Sequence, residues 1–368
     1  MAYLDANATE PLRPEAREAA VAALGVVGNP ASVHAAGRAA RRLLEDARER
    51  LAACFGAPAS GVVFTSGGTE ADALAVHGLG GLGRGRRLIM SATEHDAVRS
   101  AMMGAAGGAA VLPVDERGGA RLDLLPALLA EGPALLCLML ANNETGTLQP
   151  VREAAELCRA AGALLHVDAV QACGRIPVSL AELGAHSLAV SSHKLGGPPG
   201  AGALMLAPGV EIEALVRGGG QERGRRGGTP NLPAIAGFAA AADAEPPRQL
   251  AARVSLLRDR IEAGALSLGA MPLVGPDRLP NTTCLALPGV RAESQVIALD
   301  LAGVQVSAGA ACSSGKVARS HVLDAMGLGA LAGEAIRVSL PWNAAQSDAN
   351  AFLEAYAGMA ARLARRAA

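Results

Sequence analysis

GALLHVDAVQACGRIPVSLAELGAHSLAVSSHK, Gly162 to Lys194, contains two short apolar runs, each ending on polar residues. GALLHVDAV closes around Asp168, and SLAVSSHK closes on Ser191, His193 and Lys194. A short apolar run without strict alternation reads as a strand buried on both faces. The same theme occurs upstream in GVVFTSGG, RRLIMSATEH, AAVLPV and ALLCLML, with helical patterns such as TEADALAVHGL and REAAELCRAAG between several of them. Short apolar strands alternating with helices predict an α/β chain with a mostly parallel sheet covered on both faces. Ligands of such sheets sit outside the carboxyl ends of the strands. SGGTE, ATEH, NNETG, HVDAVQ and SSHK all fall at such ends.

The 368 residues are 51% hydrophobic and 18% charged, with a formal net charge of -1. That length accommodates two domains. The near-neutral charge gives no reason to expect nucleic acid or an anionic membrane as a direct partner. The longest apolar runs are too short to span a bilayer, and MAYLDANATE lacks the basic-then-apolar start of a secretory leader. The six cysteines, Cys54, Cys137, Cys158, Cys173, Cys284 and Cys312, include no pair at zinc-ribbon or thioredoxin spacing, so no metal is expected. A reducing cytoplasm is the expected compartment. Neither GxGxxG in a strand–turn–helix setting nor GxxxxGK[ST] occurs, which excludes the usual dinucleotide and nucleotide loops.

Chemistry concentrates at the strand ends. A carboxylate ending an apolar strand, as Asp168 does, is costly unless it is paired. An amine such as Lys194, held beside a cation or in a dry pocket, has a lowered pKa and forms Schiff bases readily. The start of the TEADALAVHGL helix offers free backbone N–H groups to an anion. Pyridoxal phosphate would use all three: aldehyde, ring nitrogen and phosphate. Taken singly, a loop lysine, an N-capping aspartate and structural histidines are the ordinary readings. SAGAACSSG, Ser307 to Gly315, leaves Cys312 open between buried small residue, metal ligand and reactive thiol.

Nine stretches in order resemble one family. They are YLDANAT, GNPASVHAAGR, FTSGGTEAD, SATEH, NNETGTLQP, HVDAVQACG, SSHKLGGPPGAGAL, GGGQERGRRGGTPN and SAGAACSSGKVARSHVLDAMG. The chain is similar to the cysteine desulfurases of the NifS/IscS type, fold-type-I pyridoxal-phosphate enzymes grouped with the class V aminotransferases. The resemblance implies a large domain over residues 14–247 with a mostly parallel seven-stranded sheet. Residues 1–13 and 248–368 would form a smaller α/β domain carrying the cysteine loop. The Pro246-Pro247 pair marks the boundary.

The resemblance further implies that Lys194 carries the cofactor and that Asp168 faces its ring nitrogen. Asn143 and Gln171 would contact the ring-oxygen region, and His95 would stack on the ring and take part in proton transfer. Gly68, Thr69, Ser191 and His193 would hold the phosphate, joined by Thr229 from the other subunit of a homodimer. Arg337 and Asn7 would bind substrate, and Cys312 would accept its sulfur. The implied reaction converts L-cysteine to L-alanine. The sulfur passes through a persulfide on Cys312 to an acceptor such as an iron–sulfur scaffold. Selenocysteine lyase and other class V transaminase or lyase activities stay open, as does a non-catalytic sulfur-assembly scaffold. Three departures from the family pattern are Ser192 where glycine is common, LPWN, Leu340 to Asn343, after Arg337, and the YLDANATE start in place of the commoner DNNATT form.

Overall fold

A computed structural model describes residues 1–80, 85–104, 108–244, 246–309 and 319–367, with side chains to residue 362. Its larger sheet is built from β2 (Val62–Thr65), β3 (Arg87–Ser91), β4 (Ala109–Leu112), β5 (Ala134–Cys137), β6 (Leu164–Asp168), β7 (Ser187–Ser191) and β8 (Gly202–Leu206). They lie in the order β2-β8-β7-β6-β5-β3-β4. Only β8 pairs antiparallel to its neighbours, so the seven-stranded sheet is mostly parallel, as expected.

Alternate residues of these apolar runs serve two cores, because successive strand side chains point to opposite faces. Ile89, Leu136, Leu165, Val167, Leu188, Val190 and Met205 pack toward α1 (Pro14–Leu24), α2 (Ala35–Cys54) and the helix Leu232–Asp243. Leu88, Met90, Leu135, Cys137, Ala189 and Leu204 pack toward α3 (Gly68–Gly80) and α4 (Asp96–Met103). The α2 pattern explains its placement: Gly37, Ala40, Leu44, Ala47 and Leu51 recur at three- and four-residue spacing and are buried, and His34 caps its start.

The C-terminal part has a four-stranded antiparallel sheet of Met271–Pro272, Thr282–Ala286, Ser307–Ala308 and Ala335–Ser339. The helices Pro247–Leu266 and Gln346–Ala367 share its apolar core with Ala2 and Leu4. At the chain start β1 (Ala2–Tyr3) pairs with Val304–Gln305. The chain then runs across to the large sheet, because Asp5 bridges to Ser339 and Glu10 N–H donates to His193 O. Among the described residues, no helix is long and apolar enough to cross a membrane.

Candidate active site

One cavity of about 230 Å³ opens at the carboxyl ends of the large sheet. Gly68, Thr69, Asp72, His95, Asn143, Asp168, Val170, Gln171, Ser191, His193 and Lys194 all line it. Nine of the expected residues thus meet on one wall although they come from five separate stretches of chain.

The floor is carboxylate. Asp168 ends β6 and accepts from Val170 N–H at 2.9 Å. Burial raises its pKa to about 7, and the nearby Asp72 adds to the rise. Asp72 comes from α3, where it interrupts an otherwise apolar face of Ala71, Leu74 and Ala75. Its Oδ1 lies 3.0 Å from His166 Nε2, while His166 Nδ1 lies 2.8 Å from Ser187 Oγ.

The amine side is formed where β7 ends. Lys194 follows in a short 3₁₀ turn, Ser192–Lys194, and donates to the carbonyls of Asn7 and Ala8. His193 Nδ1 lies 3.1 Å from Thr9 Oγ1, and burial together with the Lys194 charge lowers its pKa to about 4. His95 caps α4 by accepting from Ala97 N–H at 3.1 Å, which fixes its ring toward the cavity wall. Gln171 Nε2 donates to Asn7 O, and the fully buried Arg175 bonds Gln171 O from below.

The phosphate end has a specific signature. Ser191 Oγ and Ser192 Oγ are buried without a hydrogen-bond partner. A Cβ on Gly68 would stand 2.7 Å from Val170 Cγ2 and 3.4 Å from Ser191 Cβ, so only glycine leaves this cradle open. A buried hydroxyl without a partner costs about 1–3 kcal/mol. An anion seated at Ser191 and the start of α3 would recover that loss. With an amine, a buried carboxyl and an imidazole on the same wall, the donor set fits pyridoxal phosphate.

The remaining expected residues lie elsewhere. Asn7 is buried behind the wall, its amide spent on Asn143 O, Thr282 and Asn281. Arg337 is also buried there, donating to Asn143 O and pairing with Asp5. Thr229 is exposed on the protomer, away from the cavity lining. Cys312 lies outside the described residues. On either side of that stretch, Gly309 and Ser320 both face Glu144, next to the wall residue Asn143. Ser320 Oγ donates to Glu144 Oε2 at 2.5 Å, and a Cβ on Gly309 would reach the same oxygen. None of the described thiols, Cys54, Cys137, Cys158, Cys173 and Cys284, lines the cavity.

Asp72, His166, Glu94 and Glu144 escaped the sequence reading. Two signals were present. In HVD, residues two apart on a strand share a face, which places His166 beside Asp168. Asp72 is a lone acid on an apolar helix stripe.

The sequence model of the class-V aminotransferase family matches residues 2–352. The chain is 46% identical to a cysteine desulfurase of Cereibacter sphaeroides over 88% of its own length and 86% of that protein. It is 39% identical to an IscS-like cysteine desulfurase of Mycobacterium tuberculosis, over the whole chain and 98% of the relative. Among solved structures, the NifS-like protein from Rickettsia africae superposes with a TM-score of 0.89 at 32% identity, covering 98% of this chain and 99% of that one.

Proposed function

The chain belongs to the class-V aminotransferase family, and from that premise we propose that it is a pyridoxal-phosphate-dependent cysteine desulfurase. The observation that carries this reading is the meeting of Lys194, Asp168, His95 and the Gly68–Ser191 cradle around one cavity. In this reading residues 14–247 form the cofactor domain. Residues 1–13 with 248–368 form the small domain that brings Cys312.

Bound pyridoxal phosphate supplies an aldehyde for amines and an electron sink for charge developing at Cα. The chain supplies the rest. Lys194, the amine on the wall, would hold the cofactor and move the proton at Cα. Asp168 would set a negative charge against the ring nitrogen, and His95 would serve as the ring's stacking partner. Asn143 and Gln171 would contact the ring oxygen. Gly68, Thr69, Ser191 and His193 hold the phosphate, and Thr229, exposed here, is offered to the partner of a homodimer. Arg337 and Asn7, behind Asn143, set the substrate end of the cavity.

Cys312 takes the sulfur. In balance, L-cysteine and the Cys312 thiol give L-alanine and a Cys312 persulfide: the Cβ–S bond breaks, an S–S bond forms, and a proton goes to Cβ. The described thiols are poorly suited to this step, since burial pushes Cys284 and Cys54 up to about 12 and Cys158 to about 11. An acceptor protein such as an iron–sulfur scaffold then draws the persulfide sulfur away, in the cytoplasm.

The test is to incubate the protein with L-cysteine and measure alanine and sulfide together. Lys194→Ala is expected to abolish both. Cys312→Ala should keep the cofactor absorbance and lose delivery of sulfur to an acceptor. Wild-type protein without Schiff-base absorbance or without alanine production would overturn the assignment.

A further inference from the structure

YLDANATE and LPWN, two segments that depart from the family pattern, lie near opposite ends of the chain and touch each other. Trp342 N–H donates to Glu10 Oε2 at 3.1 Å, and the indole Nε1–H donates to Pro11 O at 2.8 Å. The Arg13 guanidinium stacks on the same indole, 4.8 Å from the ring centroid. Glu10 is buried, and its N–H bonds the carbonyl of the wall residue His193. Its other oxygen, Oε1, lies 3.3 Å from Nη2 of the buried Arg175. Arg175 Nη1 in turn donates to Gln171 O at 2.8 Å and to Gln171 Oε1 at 3.3 Å. The line from Trp342 thus ends on a residue that lines the cavity, and the reaction as assigned uses only that last member.

We infer that Arg175, seated by Glu10, is a positioning residue that turns an N–H of the Gln171 amide toward the ring oxygen of the cofactor. The inference rests on the cofactor reading above. Gln171 has one amide oxygen and two amide hydrogens to place. Oε1 accepts from Arg175, and Nε2 donates one hydrogen to Asn7 O at 3.0 Å. The second hydrogen is the one left for the cavity. A reversed amide would set Oε1 against the Asn7 carbonyl and the NH₂ group against the guanidinium, so both neighbours oppose it. The cation on Oε1 also polarises the amide and strengthens its N–H as a donor. Glu10 keeps the guanidinium there, because a buried cation without its carboxylate is costly. Burial raises the Glu10 pKa, while the Arg175 charge and the Trp342 N–H pull it back; Arg13 and Lys194 are the other charges facing it.

The consequence falls on the ring oxygen. A donor there stabilises its anionic form and makes it less basic. The oxygen then holds the neighbouring Schiff-base proton less firmly, so the proton leaves at lower pH than it would without the donor.

The experiment titrates the Schiff-base absorbance band of the loaded protein against pH. Gln171→Leu, which lacks the donor, should raise the titration by about one pH unit, as loss of a hydrogen bond to a charged group implies. The paired variant Glu10→Gln with Arg175→Met removes carboxylate and guanidinium together and keeps an acceptor for the Trp342 N–H. It should raise the titration by more than about 0.3 pH unit, the margin within which independent sites add. In the Gln171→Leu background the same pair should add less than about 0.3 pH unit, because its effect runs through Gln171. Should the paired variant not fold, Glu10→Gln alone should give a smaller rise. A purely electrostatic role predicts the opposite sign, since losing a carboxylate lowers the proton affinity of the site. Absence of a rise in the variant that folds, or a rise undiminished by Gln171→Leu, would overturn the inference. Wild-type protein without the band, or Gln171→Leu titrating as wild type, would overturn the functional reading beneath it as well.

Discussion

Arg337 Nη2 lies 2.7 Å from Asp5 Oδ1, joining an inner strand of the small sheet to the chain start across 332 residues of sequence. Asp5 also accepts from Ser307 Oγ at 2.8 Å, and Arg337 Nη1 donates to the carbonyl of Asn143. Arg337 Nε has no hydrogen-bond partner. The guanidinium is therefore clamped on two sides with a donor to spare.

Removing the Asp5 carboxylate leaves a buried cation short of its partner. Asp5→Ala is expected to cost on the order of 2–3 kcal/mol, and Asp5→Asn less, measured by denaturant unfolding. In the same variants KM for L-cysteine should rise while kcat changes little, because a loosened Arg337 binds a carboxylate less well in ground and transition state alike. An unchanged KM would separate Arg337 from substrate binding.

Ser191 behaves differently in the empty and loaded protein. Its buried hydroxyl has no partner, so Ser191→Ala should leave apoprotein stability unchanged or raise it by about 1 kcal/mol. The same substitution should weaken pyridoxal phosphate binding by roughly tenfold, since a hydrogen bond to a charged group is lost. Thermal melting with and without cofactor checks both halves.

Backbone crowding at the cradle gives a third expectation. A Cβ on Gly202 would stand 2.5 Å from Gly67 C, where β8 pairs with β2 just before the phosphate cradle. Gly202→Ala should cost at least about 2 kcal/mol. Gly333→Ala, where a Cβ meets nothing within 4 Å, should stay within about 0.5 kcal/mol. Equal melting temperatures for the two would contradict the crowding.

Glu94 supplies a pH dependence. It is wholly buried, one oxygen accepting from Met139 N–H at 2.7 Å and the other without a partner, and burial holds its pKa well above the usual range. Folded Glu94 therefore keeps its proton where the unfolded chain has lost it. Its favourable contribution is complete below the unfolded pKa and fades as pH rises through the window up to the folded value. The slope is at most about 1.4 kcal/mol per pH unit. Glu94→Gln lacks this loss, so its melting temperature relative to wild type should climb between pH 5 and pH 8. A constant difference across that range would show that Glu94 is ionised in the fold.

Much of this was readable one segment at a time. Apolar runs such as LLHVD and SLAVS mark strands because no solvent-facing alternation interrupts them, and the helical pattern of TEADALAVHGL falls within α3. Strand ends carry Asp168 and Lys194 because polar residues are tolerated where the sheet opens to a cavity. The site's second layer was harder to see. Asp72 looked like one more residue in a helix, and Glu144 like part of a turn, until their partners were known.

The sequence by itself determined the strand–helix alternation, the phosphate-cradling glycine and the residues that meet at the strand ends, since each depends on neighbours a few positions away. Only the tertiary structure decided that Asp72 is held by His166, that Arg337 is paired with Asp5, and that Gly309 and Ser320 meet at Glu144. These contacts join segments far apart in the chain. Packing of two cores around one sheet sets which buried charges become neighbours, and no local pattern encodes that distance.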